Sequence, residues 1–299
     1  MNRVLVTGCN GYIGSHVVKL LKEDGYHVEG WDINVYNEDH NDVTHFLDKF
    51  YYQDITQLHM NTGLPIGTGF DTIIHLAGRP IVPRSFSEPF SYYQTNLSGT
   101  HSLLHLIDTN HFIYGSSSSC FENLSPYARS KSAGEDIVRE LAVNYTILRF
   151  FNVSGSDGQH HMIGPCTRLI RSCAQAILED KHVKIFGTDY PTPDGTAVRS
   201  YTSVNDIANG IVESTVTGPR NTNYENFGNP KCYSVREVID TMKSVTDEFK
   251  VIEAPRRIGD PAETRPPDSS NLITHTQSLE DMCLETFLSE MNKNSDTRV

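Results

Sequence analysis

Ser117, Tyr127 and Lys131 lie close together in the stretch SSSSCFENLSPYARSK, residues 116–131. Each side chain can hold or move a proton. A phenol with a pKa of about 10 is a poor base at neutral pH. A lysine ammonium about 6 Å away, at an effective dielectric of about 20, stabilises the phenolate by roughly 2.8 kcal/mol, or about two pKa units. That alone brings the phenol only to about 8, so a second cation is needed for work near neutrality. Taken by itself the stretch has a plainer reading. Serine runs are usually flexible, and a tyrosine and lysine four apart on a helix are usually just neighbours on one face.

The elements around the stretch decide whether these groups can meet. RVLVTG (3–8) reads as a buried strand, and GYIGSHVVKLLKEDG (11–25) as a helix with Ile13, Val17, Leu20 and Leu21 at helical spacing. HVEGWD (27–32) and DTIIHLAG (71–78) read as further strands, and residues 88–108 as a helix. HFIYGS (111–116) and YTILRFF (145–151) are predicted strands, with a helix over 125–141 between them. This alternation implies an α/β fold with a doubly wound parallel sheet and helices on both faces. After Asn152 the texture changes, and the change of domain is expected near 153–160. The first domain is placed at 1–155 and a smaller second domain at 156–299. Later expectations are a helix near 165–180, a strand at 183–187, a loop over 188–196, and helices near 204–216, 234–246 and 278–291.

A second chemistry lies in TGCNGYIG (7–14). Gly8, Gly11 and Gly14 follow a strand and open a helix. Glycine permits the tight turn and lets a pyrophosphate approach the backbone, while the helix N-terminus offers free N–H groups. Asp32, eighteen residues beyond Gly14, ends the second strand. A carboxylate there can accept from both adenosine ribose hydroxyls and repels a 2′-phosphate, which favours NAD over NADP.

The formal net charge of −12 argues against nucleic acid or an anionic membrane as partner. Six cysteines show no metal spacing and read as free thiols, as expected in a reducing cytosol. His160 and His161 lie in a polar stretch and are expected at the surface. No leader or membrane span is expected, since the first apolar run is six residues long.

The glycine spacing, DI at 54–55, HLAG at 75–78, the Ser117/Tyr127/Lys131 set and RFFN at 149–152 resemble the extended short-chain dehydrogenases/reductases that act on nucleotide sugars. IFGTDYPTPDGTAVRSYTSVNDIANGI (185–211) and PRRIGDPAE (255–263) narrow the resemblance to the UDP-glucose (UDP-galactose) 4-epimerases. It runs from residue 3 to about 272. The resemblance implies a Rossmann domain, bound NAD, a UDP-sugar substrate, a homodimer joined through two helices of the first domain, and a cytoplasmic enzyme. It implies that Tyr127 takes the proton of the sugar 4-hydroxyl, that Ser117 hydrogen-bonds the reacting oxygen, and that Lys131 lowers the Tyr127 pKa and holds the nicotinamide ribose. The cationic nicotinamide would supply the second positive charge.

Position by position, the resemblance assigns Gly8, Gly11, Tyr12, Ile13 and Gly14 to the pyrophosphate loop. Asp54 and Ile55 fall beside adenine. Leu76, Ala77 and Gly78 line the cofactor, Arg79 falls near its phosphates, and Asn96 lies close by. Asn152, Phe186, Arg199, Arg257 and Asp260 fall on the substrate. Thr264 falls where epimerases limited to plain hexoses carry a bulky tyrosine, which implies space for an N-acetyl group. The segment between Ser117 and Tyr127 is shorter than in the family, and CTR at 166–168 replaces its usual Asn-Leu pair. A 4,6-dehydratase would need acidic residues where Ser118 and Ser119 stand. A 4-ketoreductase shares the Tyr/Lys pair, and a non-catalytic NAD-binding scaffold would share the fold.

Overall fold

The computed structural model describes residues 2–34, 43–58, 69–160, 162, 168–267, 271–273 and 276–296. Cys166, Thr167 and His161 lie outside them. The first half alternates as expected: β1 (Arg3–Thr7), α1 (Tyr12–Glu23), β2 (His27–Asp32), β3 (Lys49–Tyr52), β4 (Phe70–His75), α2 (Val82–Ser87), α3 (Pro89–Tyr93), α4 (Thr100–Leu106), β5 (Thr109–Ser117), α5 (Pro126–Leu141) and β6 (Tyr145–Phe150). Then come β7 (Asn152–Ser154), α6 (Leu169–Leu178), β8 (His182–Phe186), β9 (Val198–Ser203), α7 (Val204–Thr217), β10 (Glu225–Phe227), β11 (Cys232–Ser234), α8 (Val235–Val245), β12 (Lys250–Ala254), β13 (Glu263–Thr264) and α9 (Leu279–Asp296).

The chain divides into two compact units, 1–150 with 208–225, and 151–207 with 226–299. The first is built on a seven-stranded sheet in the order β10-β6-β5-β4-β1-β2-β3. From β3 to β6 every adjacent pair runs parallel, as in Val4 opposite both Val28 and Thr72. Val4, Leu5 and Val6 are fully buried. A strand covered on both faces needs this unbroken apolar run, not an alternating one. Strand order reverses beside β1 and β4, and in open parallel sheets ligands bind beyond the strand ends at such a switch. Leu5, Trp31, Phe70, Ile73, Leu103 and Phe112 fill one side of the sheet.

The expected single helix over 88–108 is three pieces. A π-helical stretch, Gln94–Gly99, separates α3 from α4. Strands β3 and β9 had no clear sequence signal: β3 is only half-buried, and β9 reads VRSYTS, where polar hydroxyls find partners inside the fold.

In the second unit β9 lies between β11 and β13 and also pairs with β7, and β8 pairs with β12 in parallel. Helices α6, α8 and α9 close over Ile170, Cys173, Val238, Met242, Leu279 and Met282. Ser234 and Glu237 form a reciprocal capping box at the start of α8. The final helix is tied in by a buried ion pair, Arg171 to Glu290 at 2.8 Å. His160 is buried, contrary to expectation. The loop folds back so that Asp157 accepts from its backbone N–H at 2.7 Å and its Nδ1 at 2.9 Å.

Candidate active site

Each glycine of the first loop stands where a Cβ would meet backbone. Gly8 has φ +73°, and a Cβ there would lie 2.7 Å from the Ala77 backbone nitrogen. A Cβ on Gly11 would sit 2.9 Å from the Gly8 carbonyl oxygen, and one on Gly14 only 2.1 Å from it. Gly8 N–H donates to Trp31 O at 2.8 Å, which ties the loop to β2. Gly11 is the N-cap of α1 and brings no side chain over its first turn. Tyr12 buries its ring edge-on against His16, and Ile13 is half-buried.

Asp32 closes β2 and is buried. Its two carboxylate oxygens accept the backbone N–H groups of Asn10 at 3.0 Å and Asn34 at 2.9 Å. The Asn10 amide oxygen is buried with no hydrogen-bond partner among the described residues. A dinucleotide fits this set: a backbone cradle without side chains, a helix N-terminus, a ribose acceptor at the second strand and an unused buried acceptor. Asp54 and Ile55 carry structural work with their side chains. Asp54 caps a short turn through Thr56, and Ile55 packs beneath Gly99, whose Cβ would lie 2.8 Å from it.

Beyond β4 a hydrogen-bond chain fixes the backbone. Ala77 N–H donates to Thr7 Oγ1 at 3.3 Å, and Thr7 pairs with His75 Nδ1 at 2.7 Å. His75 Nε2 meets Thr100 Oγ1 at 2.9 Å, and Thr100 donates on to Asn96 O at 2.9 Å. Only a neutral imidazole protonated at Nε2 satisfies that order. Burial, with Lys131 nearby, pushes the His75 pKa down to about 3, so it stays neutral. Asn96 sits in the π-helical stretch, a device often found at functional sites. Its Oδ1 accepts from Arg79 N–H at 2.9 Å and its Nδ2 donates to Ser130 Oγ at 3.0 Å. Gly78 lies against this pair: a Cβ there would be 3.0 Å from Asn96 Oδ1 and 3.5 Å from Lys131 Nζ. Leu76 is half-buried, and the Arg79 guanidinium reaches Glu88 at 3.4 Å.

Ser117 is the last residue of β5, and its Oγ accepts the Ser119 N–H at 3.2 Å. The short link to α5 is one 3-10 turn, Ser118–Cys120, followed by Asn123 at φ +53° and the N-cap Ser125. Tyr127 is buried in the first turn of α5, edge-on to Tyr92 at 6.3 Å. Lys131 lies one turn on. Its Nζ donates to Gly115 O at 2.7 Å and rests 4.6 Å over the Tyr114 ring. Burial pulls its pKa down to about 8, against the pull of Cys120 and Glu135 the other way. The serine run is therefore strand end and turn, not a loose linker.

In the second unit Asn152 is exposed on β7, and Phe186 ends β8 with the Arg257 guanidinium 3.7 Å over its ring. Arg199 spends its donors inside the protein. It reaches Val198 O at 2.8 Å, Ala262 O at 3.2 Å and Pro261 O at 2.7 Å, and it pairs with Asp260. It clasps the 260–262 turn, and Arg257 is the more exposed guanidinium. Thr264 is half-buried on β13, opposite Arg199 in the register.

Sequence reasoning passed over His75, Thr100, Glu135 and Arg149. The usable signal was a charge or imidazole inside an apolar strand run, as in DTIIHLAG and YTILRFF, since such groups are buried only with partners. Among the described residues no helix is long and apolar enough to cross a membrane, and no three His, Cys, Asp or Glu side chains cluster as metal ligands.

Comparison with known proteins gives one direction. The profile of the NAD dependent epimerase/dehydratase family matches residues 4–225. The UDP-glucose 4-epimerase of Halalkalibacterium halodurans is 33% identical over 293 residues, covering 87% of this chain and 85% of that protein. That of Lactobacillus helveticus is 32% identical, covering 87% and 86%. The crystal structure of UDP-glucose 4-epimerase from Bifidobacterium longum in complex with NAD+ and UDP superposes with a TM-score of 0.83 at 25% identity, covering 97% of this chain and 98% of that one. The UDP-Glc/GlcNAc 4-epimerase of Campylobacter jejuni gives 0.77 at 27%, covering 98% and 100%.

Proposed function

The chain belongs to the NAD dependent epimerase/dehydratase family, and from that premise we infer an NAD-dependent nucleotide-sugar 4-epimerase that interconverts UDP-glucose and UDP-galactose. The observation that carries the reading is Lys131: a buried ammonium held on Gly115 O, one helical turn from Tyr127. With a pKa of about 8 it is mostly charged at neutral pH, so it favours the phenolate of Tyr127.

The residues that would hold the cofactor are Gly8, Gly11 and Gly14 at the pyrophosphate, Asp32 at the adenosine ribose, Ala77, Gly78 and Asn96 along its length, and Lys131 at the nicotinamide ribose. NAD, when bound, supplies a reversible hydride acceptor and a cation. Tyr127 Oη takes the proton of the sugar 4-hydroxyl. Because Ser117 Oγ already accepts the Ser119 N–H, its own proton is available to the reacting oxygen. Rotation of the 4-keto sugar presents its other face, and Tyr127 returns the proton to O4 of the epimer. The reaction has no net redox change.

The second unit would hold the nucleotide: Phe186 and Asp260 the uridine, Arg257 the diphosphate, Asn152 the sugar. Arg199 would support this set by holding Asp260. Thr264 would lie beside the sugar 2-position, and its small side chain would leave room for N-acetylated UDP-hexosamines too. A homodimer would join through α4 and α5, where Leu104, Ala133 and Ile137 remain only half-buried, and the enzyme would work in the cytoplasm.

The test is to incubate purified protein with UDP-galactose and no added cofactor, and to release and identify bound dinucleotide. UDP-glucose should form, with NAD released on denaturation. Failure to equilibrate the two sugars with NAD present would refute the reading. Light scattering should give twice the 33.5 kDa of the chain.

A further inference from the structure

Beneath the proposed reaction site lies a charge cluster that the mechanism above does not use. Glu135 is almost fully buried on α5, one turn beyond Lys131. Its Oε1 accepts from Ser116 Oγ at 2.6 Å and Arg149 Nε at 2.8 Å. Its Oε2 accepts from Arg149 Nη2 at 2.8 Å and Arg139 Nη2 at 2.9 Å. Arg149 in turn lies 3.6 Å from the ring centre of Tyr224 and 4.7 Å from that of Phe121, and the two rings meet edge-on at 5.7 Å.

The donors come from separate pieces of chain. Ser116 precedes Ser117 at the end of β5, Arg149 is on β6, and Phe121 belongs to the short link between Ser117 and α5. Side chains alternate along a strand, so fixing Ser116 on one face fixes the direction of Ser117 on the other. The carboxylate itself stands on the helix that carries Tyr127 and Lys131. A bidentate arginine pair is both strong and directional, which suits it to setting a strand against a helix.

We propose that Glu135 is the positioning residue of this site: it locks the strand end that presents Ser117 to the helix that presents Tyr127 and Lys131, while Arg149 and Phe121 anchor the short link between them. The proposal rests on the epimerase reading. The charged and titratable groups around Glu135 and Lys131 include Arg149 on β6, Cys120 in the link, Tyr114 on β5, His75 at the end of β4, which stays neutral, and Arg139 on α5, the last also paired with Asp136.

The experiment compares the parental enzyme with Glu135→Gln and Ser116→Ala. Glu135→Gln removes one charge two helical turns from Tyr127, about 12 Å along the helix axis, while leaving both guanidinium groups. It should lower kcat about 10- to 100-fold with KM within about twofold. It should also move the Tyr127 phenolate titration, read by ultraviolet difference against Tyr127→Phe in the same background, about one pH unit lower. Ser116→Ala breaks one hydrogen bond and keeps every charge. It should lower kcat about fivefold and leave the titration in place. Parental kcat in Ser116→Ala overturns the proposal whether or not Glu135→Gln folds. An unmoved titration in folded Glu135→Gln does the same. If the parental protein converts no nucleotide sugar, the reaction reading falls, and the phenolate titration still decides whether Glu135 acts on Tyr127.

Discussion

Two buried imidazoles should make the fold acid-sensitive well above the range where carboxylates titrate. His75 is fully buried between Thr7 and Thr100 with its pKa pushed down to about 3 by burial and then by Lys131. His111 is buried against Thr146 at 2.8 Å, and burial pushes it to about 4. In the unfolded chain each would titrate near its ordinary value of about 6.5. A depressed folded pKa gives stability that is fully present above about 6.5 and is lost as pH falls towards the folded value. Between pH 7 and 5 each histidine withdraws about 2 kcal/mol, together about 4 kcal/mol. Half-buried Glu285, whose pKa burial raises, works in the opposite direction over part of this range. Comparison with His111→Gln therefore isolates the histidine contribution. Urea unfolding at pH 7, 6 and 5 can be followed through Trp31, the chain's single tryptophan. Between pH 7 and 5 the variant should lose about 2 kcal/mol less stability than the parent. Equal pH dependence in the two proteins, or an NMR titration of His111 near 6.5, would refute the reasoning.

Tyr127→Phe should keep the fold and its bound NAD while turnover drops roughly 10²- to 10⁴-fold; steady-state kinetics with cofactor content checks both. Asp32→Ser should narrow the preference for NAD over NADP, measured by titration of stripped protein, because the carboxylate that repels a 2′-phosphate is gone. Thr264→Tyr should lower turnover of UDP-GlcNAc at least about 5- to 150-fold and spare UDP-glucose, since overfilling a packed site costs about 1–3 kcal/mol or more. Arg257→Gln should raise KM for the UDP-sugar at least about tenfold, as loss of a charge-assisted hydrogen bond does, with kcat within about threefold; a fall confined to kcat would contradict the proposed diphosphate contact.

The nucleotide-binding half was legible because its signals are local. Short apolar runs at Val4–Val6 in β1, Ile73–Ile74 in β4 and Phe112–Tyr114 in β5, each bounded by turn residues, read as strands buried on both sides, and a glycine that would meet a carbonyl oxygen at 2.1 Å has no substitute. The short reach from Ser117 to Tyr127 was visible, but not what holds it. Phe121, Arg149 and Tyr224 are scattered along the chain, and only folding stacks them. The role of Arg199 was obscured in the same way. A motif places a guanidinium near a substrate, but its carbonyl partners at 198, 261 and 262 belong to the backbone, which sequence patterns do not display. The π-helical stretch was hidden because its residues keep an ordinary helical composition while the hydrogen-bond pattern changes.

The position of β10 has a consequence for biosynthesis. The sheet needs Glu225–Phe227 at its edge, yet β6 ends at Phe150. At about 5–20 residues per second, roughly 4–15 s separate the two strands as they leave the ribosome. During that interval the nascent chain carries β6 as an open edge, with YTILRF offering unpaired N–H and C=O groups to any neighbouring strand. The most hazardous moment for this protein is therefore mid-translation, and a holdase acting on chains of 150–225 residues would protect it more than one acting on the finished polypeptide.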